Sequence, residues 1–264
     1  MSYVNVVQKS ILINICFIID VTLSMKEYME NVLENMQYFS KALFNEIKLQ
    51  KGLYSNIEYA CILYSDIDYD IYNRMHKVVR EIHVVPFTNN FDIIENAYVN
   101  YKHKYRGGDD AEDLAGALHS TINNIKWHNN SYKIALLYTD ALGHGISNTF
   151  MEDFFTNGDP EGLDHIKLLK EMKNKNISLL LPKLYDTNYL HDILAEIICN
   201  IYPACNLSSL PCVNDVLCKT TFLYVPDTLF YICIKYIRNM DEDIRKRMLQ
   251  KIIIPHTLLN YLYD

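Results

Sequence analysis

Residues 12–25 read LINICFIIDVTLSM, an apolar run that closes on Asp20, Thr22 and Ser24. A continuous run of this kind predicts a strand buried on both faces of a parallel sheet. Over residues 28–47, Met29, Val32, Leu33, Met36, Phe39, Leu43 and Ile47 recur at three-to-four spacing, which predicts a helix with one apolar face. The order strand, loop, helix sets a carboxylate and two hydroxyls at the carboxyl end of a strand, where open α/β sheets keep their ligand sites. Donors made only of oxygen suit a hard cation such as Mg²⁺. The same triplet also serves as a helix N-cap, so on its own it supports either use.

Working outward, two more stretches have the same character. Residues 107–118 read GGDDAEDLAGAL, a glycine pair and an acidic loop before a helix start. Residues 134–145 read IALLYTDALGHG, a second buried strand that runs into Asp140 and two glycines. Strands are expected at 57–65, 81–87 and 177–181, and helices at 112–126, 163–174 and 187–202. Strands alternating with helices predict a layered α/β domain with a largely parallel sheet, its Met and aromatic stripes forming the core.

With these residues in view the chain resembles a von Willebrand factor A domain carrying a metal-ion-dependent adhesion site, in the branch found beside atypical alpha-kinases. The resemblance rests on Asp20-Val-Thr22-Leu-Ser24-Met25, Gly107-Gly108-Asp109-Asp110-Ala111-Glu112-Asp113 and Asp140-Ala141-Leu142-Gly143-His144-Gly145, followed by Gly158-Asp159-Pro160-Glu161-Gly162-Leu163. It spans residues 10–202 and implies a Rossmann-like, doubly wound, mostly parallel sheet. It further implies a divalent cation (Mg²⁺, or Mn²⁺ or Ca²⁺) held by Asp20, Thr22, Ser24 and Asp140, with Asp109 standing where many A domains place a Thr. An acidic side chain of a protein target would complete the coordination. Asp110, Glu112 and Asp113 are expected to favour the first turn of a helix through its macrodipole. His144 is expected to pack or hydrogen-bond within its loop, since imidazole is an uncommon partner for hard cations.

The formal net charge of −7, with no basic stripe, argues against a nucleic-acid partner. No run approaches the ~20 apolar residues of a membrane span, and the first apolar run lacks the basic flank of a signal peptide. A cytoplasmic protein is expected, with the nucleus also open to it. The seven cysteines are expected to stay reduced. Cys199, Cys205, Cys212 and Cys218 lack the close pairs of a zinc ribbon.

Beyond Tyr202 the prolines Pro203, Pro211 and Pro226 mark a connector over 203–226. Residues 227–264 follow as a small helical module. There Leu229, Cys233 and Ile237 share one helix face at i, i+4 and i+8. The pattern Thr228-Leu229-x-x-x-Cys233-x-x-x-Ile237 resembles the elongin B/C-binding start of a SOCS box. The closing Ile252-Ile253-Ile254-Pro255-x-x-Leu258 is similar to its cullin-interacting end, with Ile254, Pro255 and Leu258 as the matching positions. Where that family favours Leu-Pro-apolar-Pro, this chain has Ile252 and Ile253 in the first two places.

Together the two resemblances imply a non-enzymatic adaptor that joins a target to an elongin–cullin ubiquitin ligase; the alternative is a stand-alone metal-dependent interaction module with a structural tail. Catalysis is not expected. Gly143-His144-Gly145 is too short for a phosphate loop. The Ser, His and Asp residues lack nucleophile-elbow spacing. No general base accompanies the predicted cation.

Overall fold

The computed structural model describes residues 9–49, 53–69, 78–101, 108–146, 152–182, 184 and 188–201. The connector and the helical module expected beyond Tyr202 lie outside these residues, as do Gly107 and every elongin- and cullin-facing position named above.

Five strands form one sheet: β1 (Lys9–Asp20), β2 (Leu53–Tyr69), β3 (Val78–Thr88), β4 (Ser131–Tyr138) and β5 (Ile177–Leu180), in the spatial order β3-β2-β1-β4-β5. β1 pairs in parallel with β2 and β4, and β4 with β5, while β3 runs antiparallel at the edge. The helices are α1 (Met29–Leu49), α2 (Phe91–Tyr101), α3 (Leu114–Asn123), α4 (His165–Asn174) and α5 (Asn188–Ile201). The architecture is the doubly wound, mostly parallel α/β sheet that the strand and helix alternation predicts. Among the described residues no helix is long and apolar enough to cross a membrane.

The continuous apolar reading of β1 has a direct cause: both of its faces are covered. Cys16 and Ile18 point into a core shared with Leu114, Leu118 and Ile122 of α3, Leu169 and Met172 of α4, and Leu194 and Ile198 of α5. Side chains alternate along a strand, so Ile15, Phe17 and Ile19 face the opposite layer, where all three are fully buried. There Phe17 meets Tyr59 and Phe91, with ring centroids 6.4 and 6.1 Å away. α2 is tied to α1 by Tyr98 Oη donating to the Met29 carbonyl (3.2 Å) and Gln37 Nε2 to Glu95 (3.0 Å).

Two features depart from the expectation. The antiparallel β3 follows β2 after only residues 70–77, too few for the crossover that a parallel neighbour needs. α2 has no counterpart in the sequence reading. Its sequence FDIIENAYVNY contains β-branched residues and Asn, which weaken the local helix preference. Only Ile94 and Tyr98 of it are buried. Cys16 and Cys61 are both buried.

The strand order reverses between β1 and β4, since the chain leaves β1 toward β2 and β3 and returns to the other side. That switch point is where ligands bind in open α/β sheets, outside the carboxyl ends of the strands. Asp20 ends β1, and Asp140 lies two residues past the end of β4.

Candidate metal site

The loop after β1 is not used as a helix cap. Ser24 opens a 3-10 turn, Ser24–Glu27, and α1 begins only at Met29. The Asp20 carboxylate instead accepts from the Thr22 N–H (2.9 Å) and the Thr22 hydroxyl (2.6 Å) on Oδ1, and from the Thr139 hydroxyl (3.1 Å) on Oδ2. Thr22 Oγ1 lies 3.0 Å from Ser24 Oγ, and Ser24 Oγ lies 3.1 Å from Asp140 Oδ1. The structure therefore brings Asp20, Thr22, Ser24 and Asp140 together, across 116 residues of chain in the last contact.

Asp109 does not join them. The turn at Gly108–Asp110 is bonded to a different loop: the Asp110 N–H donates to the Glu152 carbonyl (3.1 Å), the Glu152 N–H to Asp110 (2.9 Å), and the Phe154 N–H to Asp109 Oδ2. The acid that turns toward Asp20 is Glu112. Its N–H donates to the Leu142 carbonyl (2.9 Å) and it forms an isolated parallel bridge with Gly143, while the Asp113 N–H donates to the Ser65 carbonyl (3.1 Å). The loop is thus pinned between the ends of β2 and β4, and Glu112 is set against Asp20 and Thr22. Glu112 is not a first-turn helix acid. α3 starts at Leu114, and Asp113 is its N-cap, accepting from the Gly116 N–H at 2.8 Å.

Electrostatically this pocket holds an excess of negative charge. Burial, with Asp140 beside it, pushes the Asp20 carboxyl up to about 7. Burial likewise raises Glu112, reinforced by Asp20 and Asp66, and burial raises Asp140. Among the described residues none of the three meets a basic side chain within ion-pair distance. Glu112 Oε2 is buried without a hydrogen-bond partner.

The hydroxyls point the same way. Contacts of 2.6, 3.0 and 3.1 Å link Asp20, Thr22, Ser24 and Asp140 in one chain of oxygens. The oxygens of Asp20, Thr22, Ser24 and Asp140 suit a hard cation, with Glu112 close to Asp20 and Thr22. Tyr64, fully buried and close to Asp20, Thr139 and Glu112, lies beside the site. Thr139 and Tyr64 gave no sequence signal; Tyr64 lies within β2 and Thr139 directly after β4, in runs that read as core.

His144 is hydrogen-bonded at both ring nitrogens, to its own loop and to β2. Nε2 lies 3.0 Å from Asp66 Oδ1 and Nδ1 lies 2.9 Å from Asp153 Oδ1. Burial works against its positive charge, but the bonds to Asp66 and Asp153 outweigh burial and raise the imidazole above its usual range. The glycine after it is constrained. Gly145 has φ +76° and a Cβ there would come within 2.4 Å of the Gly158 backbone, so this crossing of two loops requires glycine.

The Gly158–Leu163 motif is fastened through Arg80 of β3, a residue that sequence reading passed over. Its guanidinium donates to Asp113, to both oxygens of Asp159 (2.7 and 2.6 Å) and to Glu161 (2.8 Å). Asp159 in turn accepts from the Glu161 and Leu163 N–H groups at 2.8 and 3.2 Å.

No family model matches the chain. A 72-residue stretch, 27% of this chain and 11% of the relative, is 33% identical to the alpha-protein kinase vwkA of Dictyostelium discoideum. Among solved structures, proximal thread matrix protein 1 from the mussel byssus aligns over 81% of this chain and 46% of its own, at 11% identity and a TM-score of 0.45. Its form described as having a zinc-occupied MIDAS motif aligns over 73% of this chain and 45% of its own, at 10% identity and a TM-score of 0.39. The pilus adhesin SpaC from Lactobacillus rhamnosus GG aligns over 81% of this chain and 29% of its own, at 13% identity and a TM-score of 0.45. The chain covers a small part of the kinase and less than half of each of these solved neighbours.

Proposed function

We propose that this chain is a metal-dependent protein-binding module of the von Willebrand factor A kind, and that its tail links the captured protein to an elongin–cullin ubiquitin ligase. The convergence of Asp20, Thr22, Ser24 and Asp140 at the β1/β4 switch point, with Glu112 close to Asp20 and Thr22, carries the first half of this reading. Mg²⁺ suits this all-oxygen donor set, with Mn²⁺ or Ca²⁺ as substitutes. Bound there, the cation supplies a positive centre that orients an incoming carboxylate.

The chain's own residues give the site a direction. Asp20, Thr22 and Glu112 are buried, whereas Ser24 is exposed and Asp140 half-buried, so a partner approaches from the Ser24 side. Leu23, 53% exposed, stands at that rim. An acidic side chain beside an apolar one on the target matches both features. The ligase half rests on the sequence of the tail alone, on Leu229, Cys233 and Ile237 for elongin B/C and on Ile254, Pro255 and Leu258 for a cullin. This reading makes the protein a non-catalytic adaptor working in the cytoplasm or nucleus, with ubiquitin transfer left to other subunits.

The test is co-expression with tagged elongin B and elongin C. The intact chain is expected to co-purify in stoichiometric amount, and the Leu229→Ala/Cys233→Ala chain to be lost. In the same eluates, target proteins retained in Mg²⁺ are expected to leave with a chelator and to be missing for Asp20→Ala. Failure of the elongin complex removes the ligase and leaves the stand-alone module. Targets held equally well by Asp20→Ala remove the metal anchor.

A further inference from the structure

We propose that Asp66, Asp109 and His144 form a second cation site, separate from the Asp20 site, that takes a first-row transition dication such as Zn²⁺ or Mn²⁺. One donor atom from each lies within 4.8 Å of the others. Donors at about 2.0–2.2 Å from a shared cation stand no more than about 4.4 Å apart, so closure needs shifts of only a few tenths of an ångström. Imidazole with carboxylates selects zinc or manganese over the harder Mg²⁺ of an all-oxygen site.

Three features give the cluster the build of a ligand set. The first is the orientation of His144, whose side chain is 2% exposed. Asp153 holds its Nδ1, and Asp153 is itself fixed by the Phe155 and Gly145 N–H groups, each at 2.8 Å. A carboxylate on the far nitrogen is the usual support of a metal-binding histidine, and it aims Nε2 at the ligand position. Phe155 packs edge-on against the ring with centroids 4.8 Å apart, which fixes its plane.

The second is Asp66, itself buried, with one oxygen held by the Ile67 N–H and the other by the Gly108 N–H, both at 2.6 Å. The third is Asp109. The Phe154 N–H binds its Oδ2, but Oδ1 is buried and has no partner at all among the described residues. An Asp66–His144–Asp153 ion-pair chain would account for the histidine and its two neighbours, yet it leaves that Asp109 oxygen without a reason. Orphaned buried oxygens in native proteins point to a water or an ion, and here a histidine and a second acid lie within 4.8 Å of an Asp109 carboxylate oxygen. A cation at this point would fasten the end of β2, the 108–110 turn, the His144 loop and the 153–155 turn together.

The probe is Co²⁺, titrated into the full chain in excess Mg²⁺, which keeps the Asp20 site occupied by the harder ion. One equivalent of Co²⁺ is expected to bind with visible d–d absorption and without a thiolate charge-transfer band, which excludes the cysteines. The signal should persist in Asp20→Ala. It should weaken at least tenfold in Asp109→Asn, which keeps an acceptor for the Phe154 N–H, and about 10–100-fold in Asp153→Asn. Uptake unchanged in a folded Asp109→Asn, or only a thiolate-type spectrum, overturns the site. Should the variants fail to fold, the wild-type protein decides alone. Its Co²⁺ form should show a contact-shifted, exchangeable imidazole N–H resonance, and the lack of one overturns the proposal.

Discussion

Arg80→Met should lower the folding stability by about 3–5 kcal/mol, the usual cost of leaving buried partners of an ion pair uncompensated. The methionine keeps most of the apolar stem, so the loss reports on charge rather than on packing. Arg80 has an exposed fraction of only 14%, and the side chains of Asp113 and Asp159 are 1% and 2% exposed. Burial raises Asp113 to about 6 even with Arg80 lowering it. Without the guanidinium that carboxyl would rise further and be protonated more readily. The penalty should therefore be largest well above pH 6 and shrink as pH falls through that value. Urea unfolding at two pH values measures both effects, and Asp113→Asn/Asp159→Asn in the Arg80→Met background should recover part of the loss. A loss below 1 kcal/mol would mean that the three-carboxylate fork is a surface decoration.

The second large effect concerns the cation-free state. Asp20 has a folded value of about 7 against an ordinary 3.8, a raised pKa. For a raised group the favourable contribution is complete below the unfolded value and is lost as pH rises through the folded one. Chelated protein should thus lose stability between pH 4 and 7, by up to about 4 kcal/mol from this carboxyl at about 1.4 kcal/mol per unit. Glu112 is raised as well, so its loss continues at higher pH. Mg²⁺ should reverse the trend, adding about 2.7 kcal/mol at a hundred times its dissociation constant.

In Glu112→Gln the carboxyl that the fold must keep protonated is gone. The chelated variant should melt higher than chelated wild type at pH 7, with a flatter pH profile and a weaker response to Mg²⁺. Comparing the two proteins cancels carboxylates elsewhere with lowered values, such as Asp153 and Asp164, whose contributions run in the opposite sense. Parallel melting curves for the two, with and without Mg²⁺, would rule out the crowded-carboxylate account.

The layers of the fold were legible because burial leaves a periodic record. β1 and β4 are covered on both sides and read as unbroken apolar runs, and α1 shows one apolar stripe. α2 was hidden because its few buried positions leave too weak a stripe to override its β-branched residues. The antiparallel edge was in principle available from the short gap between β2 and β3. The site was half legible. Asp20, Thr22, Ser24 and Asp140 follow directly from strand ends, and strand ends are what the sequence signals well. Choosing between Asp109 and Glu112 was out of reach, since both lie in one acidic loop. The choice is made by the hydrogen bonds from Glu112 to Leu142 and from Asp113 to Ser65, which join segments distant in sequence. Arg80 was invisible for the same reason, because its three acids come from other loops.

β1 and β4 are adjacent rungs of the sheet, and this separates two properties that evolution could otherwise not vary alone. The gap between the Asp20 and Asp140 loops is set by the spacing of neighbouring strands, about 4.8 Å, and not by the loops themselves. A rim residue such as Leu23 can therefore be exchanged without detuning the centre. A lineage carrying this scaffold is free to drift in whom it recognises while the means of holding on stays fixed.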